Sequence, residues 1–427
     1  MNLIVGPARR RTGVLFWLLG FCGLLTGGAV HAQTTLVGAI EAGTPIVDLR
    51  MRSEIVDQAN RQKNAVANTI RARLGYQTGQ YFGFSGLAEG DFIQHLGAQH
   101  YFDSAGGGSP ALYATIADPD MTALNRLQLS YGARISDMAP ANTQDLRINL
   151  GRQRLVFGDQ RFVGNVAWRQ HEQTFDSVSL VNTSLPQTTI TYAYVTRVNR
   201  VFGPTSPSGT FDSHSHLFNA VYSGLTPYLR LEGYAYFLDL RQSPNLSTAT
   251  YGVRGDGSVD LGSGLTGILN GAYARQNDYA RNPLSIGLSY YLGEAGFGYR
   301  GVTVLAGYEV LQGNGAVGFS TPLATLHLFQ GWADVFLTTP ANGIEDLYFK
   351  GSYGFAAVPF FSRVTATIVY HDFSAEHASA NFGSEWDAQI EAAVDANITV
   401  GVKYAGFRGA APLPDKGVGW LYVGYRY

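Results

Sequence analysis

Cysteine is almost absent: Cys22 is the single one in 427 residues. Charge is scarce too, with Asp, Glu, Lys and Arg at 15%, against ~25% in an ordinary soluble domain. Only four residues are lysine, Lys63, Lys350, Lys403 and Lys416, so positive charge is nearly all arginine. Beyond the N-terminal stretch no run of ~18 apolar residues occurs, which excludes a bundle of spanning helices. A formal net charge of −2 leaves no basic field, so no nucleic-acid partner is expected. Weak charge combined with 25 Tyr and 24 Phe also excludes a disordered chain. What is abundant is glycine, 52 residues, and together with the aromatics it suits many short strands joined by turns.

The first 32 residues read as an export leader. Arg9, Arg10 and Arg11 form a positive start, Val14 to Leu25 an apolar core, and small residues lead to Ala32, where cleavage is expected. Twelve apolar residues are too few to span a bilayer. Phe21 ahead of Cys22 does not suit a lipoprotein site. The mature chain from Gln33 then has no cysteine, hence no disulfide and no Cys metal site. It keeps 27 basic against 32 acidic residues.

From residue 47 onward, alternation dominates. In Arg126-Leu-Gln-Leu-Ser-Tyr131, Leu127, Leu129 and Tyr131 oppose Arg126, Gln128 and Ser130. In Asp145-Leu-Arg-Ile-Asn-Leu150 the leucines and Ile148 oppose Asp145, Arg147 and Asn149. Arg363, Thr365 and Thr367 oppose Val364, Ala366 and Ile368, and Glu385, Asp387 and Glu391 oppose Trp386, Ala388 and Ile390. Period two marks strands with one apolar and one polar face. A soluble sandwich has the same period. Full charges recurring on the polar face instead favour a membrane barrel, whose apolar side meets lipid and whose polar side lines a wet lumen. The last segment, Gly419 to Tyr427, ends on an aromatic, like the signature through which barrel insertion machinery recognises its clients. Eighteen segments alternate in this way. The count is even, so both termini fall on the periplasmic side, with short turns there and longer loops outside. The expected organisation is a leader (1–32), a short periplasmic tail (33–46) and an all-β, closed antiparallel transmembrane barrel of about 18 strands (47–427) in the outer membrane.

The middle of the chain, Gly151-Arg-Gln-Arg-Leu-Val-Phe-Gly-Asp-Gln-Arg161 with Trp168-Arg169 and Thr174-Phe-Asp176, resembles the alginate export family of outer-membrane porins. Arg71-Ala-Arg-Leu-Gly-Tyr76 with Gly83-Phe-Ser-Gly86, and Phe329-Gln-Gly-Trp-Ala-Asp334 with Phe336-Leu-Thr-Thr-Pro340, fit it as well. The resemblance implies an 18-stranded barrel whose arginine-lined lumen passes an acidic polysaccharide by diffusion.

A polyuronate carries a carboxylate on each sugar, and arginine, always charged and bidentate towards carboxylate, suits such a path. The candidate pore lining is Arg71, Arg73, Arg126, Arg147, Arg152, Arg154, Arg230, Lys350 and Arg363. The competing reading is a salt-bridged ladder that braces the wall. It applies most to the last third, where acids are as numerous as cations. The first third shows few acids on its strands, so the early arginines are the expected filter. The 312–343 segment is longer than a hairpin needs, and its second half is apolar and aromatic. It is expected to fold inward or to pack on the rim, with His327, Trp332 and Asp334 near the path.

Enzyme signals are poor. Gly296-x-Gly298-x-x-Gly301 and Gly313-x-Gly315-x-x-Gly318 match a dinucleotide spacing, but neither opens a helix. His214-Ser-His216, and His371 and His377 with Glu376, offer no complete ligand set. No cofactor or metal is expected. The main expectation is a passive channel for an anionic polysaccharide such as alginate. The alternatives are an uptake porin for small organic anions and a barrel hydrolase.

Overall fold

The structure, a computed structural model, describes residues 35–136 and 143–427. The leader and its cleavage point lie outside the described residues. A short helix, α1 (Leu36–Glu41), is followed by eighteen strands. These are β1 (Thr44–Gln58), β2 (Ala65–Gln77), β3 (Phe84–His95), β4 (Met121–Ala133), β5 (Leu146–Gln153) and β6 (Thr174–Asn182). Next come β7 (Thr188–Asn199), β8 (Thr210–Leu225), β9 (Leu229–Phe237), β10 (Thr248–Gly262), β11 (Leu265–Asp278) and β12 (Gly287–Tyr299). The last are β13 (Val302–Leu311), β14 (Ile344–Phe355), β15 (Arg363–Ser374), β16 (Asn381–Ala393), β17 (Ile398–Gly409) and β18 (Lys416–Arg426). Each pairs antiparallel with its sequence neighbours, and β18 pairs with β1 from Asp48–Arg426 to Gln58–Lys416, which closes the sheet. The Tyr427 N–H donates to the Val47 carbonyl at 2.9 Å and completes the seam. Closure removes the edge that an open sheet would expose. The expected tail ends earlier than residue 46, because β1 begins at Thr44.

The alternation sets which side is which. On β1, Leu49, Met51 and Ile55 point outward and stay exposed, while Arg52 and Glu54 are buried inside. Leu127, Leu150, Ile368 and Leu421 continue this apolar outer wall, each more than half or about half exposed. Such a surface needs lipid against it. Connections after even strands are mostly short turns, such as 263–264 and 300–301, and those after odd strands include the long loops 96–120, 154–173 and 312–343. The 134–145 turn is long for its side, and the 59–64 loop short for its own.

The barrel is not hollow. Two apolar clusters sit inside it. In one, Tyr101, Ile116, Phe319, Ala333 and Phe336 from the loops pack on wall residues such as Tyr290, Phe373, Phe407 and Trp420. In the other, Leu155, Phe157, Val163 and Leu323 pack on Phe175, Val195, Leu217 and Tyr236. The loops 96–120, 154–173 and 312–343 therefore fold back into the lumen and are held there by buried apolar area.

Candidate functional site

The early strands bring an arginine cluster to the inner wall, and the loops bring the acids that meet it. Arg52 pairs with Asp118 of the 96–120 loop and lies 3.2 Å from Glu54. Arg71 pairs with Asp48. Arg73 is bidentate to Asp91, at 2.6 and 2.9 Å, and reaches Glu172 of the 154–173 loop at 3.2 Å. Arg126 is bidentate to Glu89, at 2.9 and 2.6 Å, and Arg154 pairs with Glu172. The expected shortage of acids in the first third is overturned. Asp48, Glu54, Glu89 and Asp91 lie on the same strand faces, and Asp118 and Glu172 arrive from loops.

This pairing is visible in the loop acids. Burial alone would raise the Glu172 carboxyl, but Arg154, Arg73 and the Asn125 amide hold it well below the usual range. Asp118 is lowered the same way: burial opposes, and Arg52, Arg169 and the Gln170 N–H prevail. Arg50 is different. Its donors go to neutral acceptors, Gln170 Oε1 at 2.9 Å, the Ala167 carbonyl at 3.0 Å and the Arg169 carbonyl. Among the described residues no carboxylate forms a contact ion pair with it.

The 154–173 and 312–343 loops clasp each other across the lumen. Gly164 N–H donates to Leu323 O at 2.9 Å, Thr325 N–H to Gln160 O at 3.0 Å, and Val166 N–H to Thr325 Oγ1 at 3.0 Å. The Thr325 hydroxyl donates to Gln160 Oε1 at 2.7 Å, and Gln173 Nε2 to Leu323 O at 3.0 Å. Position 164 must be glycine for this contact, because a Cβ there would lie 2.2 Å from Thr325 Oγ1.

The 312–343 loop is also fastened to the opposite wall. The Trp332 N–H donates to Asp387 Oδ2 at 3.1 Å and the Ala333 N–H to Glu385 Oε1 at 2.7 Å. Gly331 has φ +79°, and its Cβ would lie 2.5 Å from the Glu385 carboxyl carbon. Asp334 accepts from Arg169 at 3.0 Å and from His327 Nδ1 at 2.9 Å, while His327 Nε2 stands 2.8 Å from Lys403 Nζ. That pattern fits a neutral ring protonated at Nδ1 with Lys403 donating to Nε2. Burial lowers His327 to about 3, with Asp334 opposing and Lys403 assisting. Trp168 stacks on the ring at 4.8 Å, and the Lys403 ammonium lies 3.7 Å from the Trp332 ring centroid and 4.6 Å from that of Trp168.

The remaining candidates fall in three places. Arg230 faces the lumen and touches Asp256 at 3.1 Å and Glu232 at 3.4 Å. Arg147 and Lys350 share the inward faces of β5 and β14; among the described residues neither makes a hydrogen bond or a contact ion pair, and Glu294 acts on Lys350 only from a distance. Arg363 is exposed at the periplasmic end of β15. Arg152 is not in the lumen. It stands opposite Leu127 and Asp176 in register, on the outer face with exposed Leu150, and pairs with Asp176 at 2.7 Å. Counting from Arg147 gives the face correctly: even positions of β5 point out.

Sequence reasoning passed over Arg50 and Arg52, although Asp48-Leu-Arg-Met-Arg-Ser-Glu54 alternates plainly. It noted Arg161 and Arg169 only as part of a motif. Arg161 is buried against Glu309 at 2.8 Å, and its guanidinium lies 4.6 Å from the Phe329 ring centroid. Three of the histidines flagged for metal are otherwise engaged. His214 and His216 face outward against Tyr194 and Tyr192 at 2.7 and 2.9 Å, and His371 lies 2.9 Å from Asp346. Gly296 and Gly298 lie in β12, and Gly313 and Gly318 bridge each other within the 312–343 loop.

No protein-family model and no curated protein matches the chain. Solved outer-membrane porins do match its fold. Pseudomonas aeruginosa OpdK, crystallised with vanillate, superposes with a TM-score of 0.69 at 15% identity, covering 91% of this chain and 100% of that one. Pseudomonas aeruginosa OccK9 (OpdG) gives 0.69 at 15%, covering 91% and 99%. Acinetobacter baumannii OccAB2 gives 0.69 at 14%, again covering 91% and 99%. At such identity the likeness speaks to architecture: this chain has the closed 18-stranded barrel of the outer-membrane porins.

Proposed function

We propose that the protein is an outer-membrane porin through which small organic anions diffuse passively. The observation that carries the reading is the clasp between the 154–173 and 312–343 loops. It fills part of the lumen with packed, hydrogen-bonded loop, which narrows the way for a long polymer more than for a small solute. The polyuronate cargo implied by the alginate-export resemblance needs the wide lumen, so the small-anion alternative is the better supported. The OpdK structure holds vanillate, a small aromatic carboxylate, which is a solute of the same class. The sign of the charge preference follows from the cations left over. Most early-strand arginines are cancelled by acids, whereas among the described residues no carboxylate forms a contact ion pair with Arg50, Arg147 or Lys350. Fixed cations on a narrow wet path favour anions.

Proteoliposome swelling tests this directly. Benzoate is expected to enter faster than a neutral sugar of similar size, and added polyuronate is expected to leave benzoate entry unchanged. Equal rates for the two small solutes would remove the anion preference. Strong block by polyuronate would restore the polysaccharide reading.

A further inference from the structure

The helix α1 has an apolar face that nothing among the described residues covers. Leu36, Val37 and Ile40 are 61%, 64% and 49% exposed, on one side of a six-residue helix. Its opposite side is fixed to the barrel rim. Ala39 is buried, the Gly79 N–H donates to the Ala39 carbonyl at 2.8 Å, and the Tyr76 hydroxyl donates to the Ile40 carbonyl. Thr35 caps the helix through its Oγ1, which accepts from Gly38 N–H at 3.0 Å.

Tyr76 tells where this rim contact lies. On β2 it shares the outward face with Ile70 and Leu74, both exposed on the wall that meets lipid. The ring of Tyr76 fills the space beside Gly43, where a Cβ would stand 2.3 Å from its hydroxyl. The helix therefore hangs on the outside of the barrel at its periplasmic end, not across the mouth. Around it stand further outward aromatics: Phe82 is 70% exposed, and Phe84 packs on Tyr131 with ring centroids 4.7 Å apart. Aromatics at that level mark the lipid–water interface of a barrel. The exposed apolar face of α1 lies at the same end of the barrel as this belt.

We infer that α1 is an interfacial anchor, lying in the periplasmic leaflet with Leu36, Val37 and Ile40 among the acyl chains of phospholipid. Short amphipathic segments bind membrane surfaces by burying such a face just below the headgroups. The inference rests on the outer-membrane reading of the barrel. A label placed on the chain separates the two. The full chain with Cys22→Ser and Val37→Cys carries an environment-sensitive nitrobenzoxadiazole label and is refolded into phosphatidylethanolamine–phosphatidylglycerol vesicles. A second variant carries the label at Leu129→Cys on the outer wall, and a third at Asp395→Cys in a periplasmic turn.

Lipids brominated near the headgroup are expected to quench the label at 37 several-fold more than the label at 395. Aqueous iodide is expected to do the reverse. If the label at 37 behaves like that at 395 while that at 129 is quenched by lipid, the anchor is refuted and the barrel stands. If the label at 129 is also aqueous, both are refuted.

Discussion

Replacing Gly164 by alanine should open the channel without unfolding the barrel. The new Cβ would lie 2.2 Å from Thr325 Oγ1 and 2.8 Å from Gln160 Cβ. Ordinary contact begins about 3.4 Å apart, so the two loops must separate by an ångström or more. That separation breaks the hydrogen bonds of Gly164 N–H to Leu323 O, Val166 N–H to Thr325 Oγ1 and Thr325 Oγ1 to Gln160 Oε1. At about 1 kcal/mol for each bond, the docked state loses roughly 3 kcal/mol, or on the order of a hundredfold in its ratio to the undocked state. The strand ladders contain none of these groups and should keep their stability. In a planar bilayer the variant is expected to show larger and noisier single-channel steps, with heat-modified migration on gels unchanged. Thr325→Val, which removes two of the bonds without added bulk, should show a smaller change in the same direction. Steps indistinguishable from the parent in both variants would refute the clasp as the constriction.

Arg73→Met leaves Asp91 and Glu172 buried without their shared cation. Losing one partner of a buried pair costs about 3–5 kcal/mol, so the urea midpoint should fall clearly, and an unchanged midpoint would contradict the role given to Arg73. Arg126→Gln removes the bidentate cation on Glu89, leaving it Asn125 and the more distant Arg73, and should shift ion preference towards cations, read as a reversal potential; a shift towards anions would be wrong for this arrangement. Loop docking should depend on acid in a set order. His327 has a folded value of about 3 against 6.5 when free, so its contribution is complete above pH 6.5 and is lost between 6.5 and about 3. Glu172 is also lowered, and its contribution is complete above ~4.3 and lost only below that. Open-channel noise from the 312–343 loop should therefore rise first as pH falls, and His327→Gln should abolish the early phase. Noise independent of pH down to 4 would contradict the assignment.

The barrel was legible because its code is local. Leu127, Leu129 and Tyr131 announce an outward face within six residues, and the same arithmetic recurs in every strand. β12 shows the margin of that code. It runs Gly287–Tyr299, but in its second half Gly293, Gly296 and Gly298 leave no side chain to alternate. The wall arginines were equally visible, but their partners were not. Alternation says that Arg73 faces inward, and nothing in it says that Glu172, ninety-nine residues later, will arrive from a loop. The filter expected on Arg71, Arg73 and Arg126 was for that reason overestimated. Arg152 was misplaced by treating a motif as one face, although a strand must turn Gln153 in where it turns Arg152 out. The apolar composition of the 312–343 segment said that it packs against the barrel, but did not decide between the lumen and the rim. Its anchors, Glu385 and Asp387, lay on a face already recognised as polar but without a known neighbour.

The central claim concerns charge preference in a narrow lumen, and its most direct test is a reversal potential. The refolded protein is held in a planar bilayer across a tenfold potassium chloride gradient, alongside a double variant with Arg147→Gln and Lys350→Met. The account predicts that the parent prefers chloride and that the double variant loses most of that preference with its conductance nearly intact. A parent that prefers potassium, or a double variant as anion-selective as the parent, would contradict it.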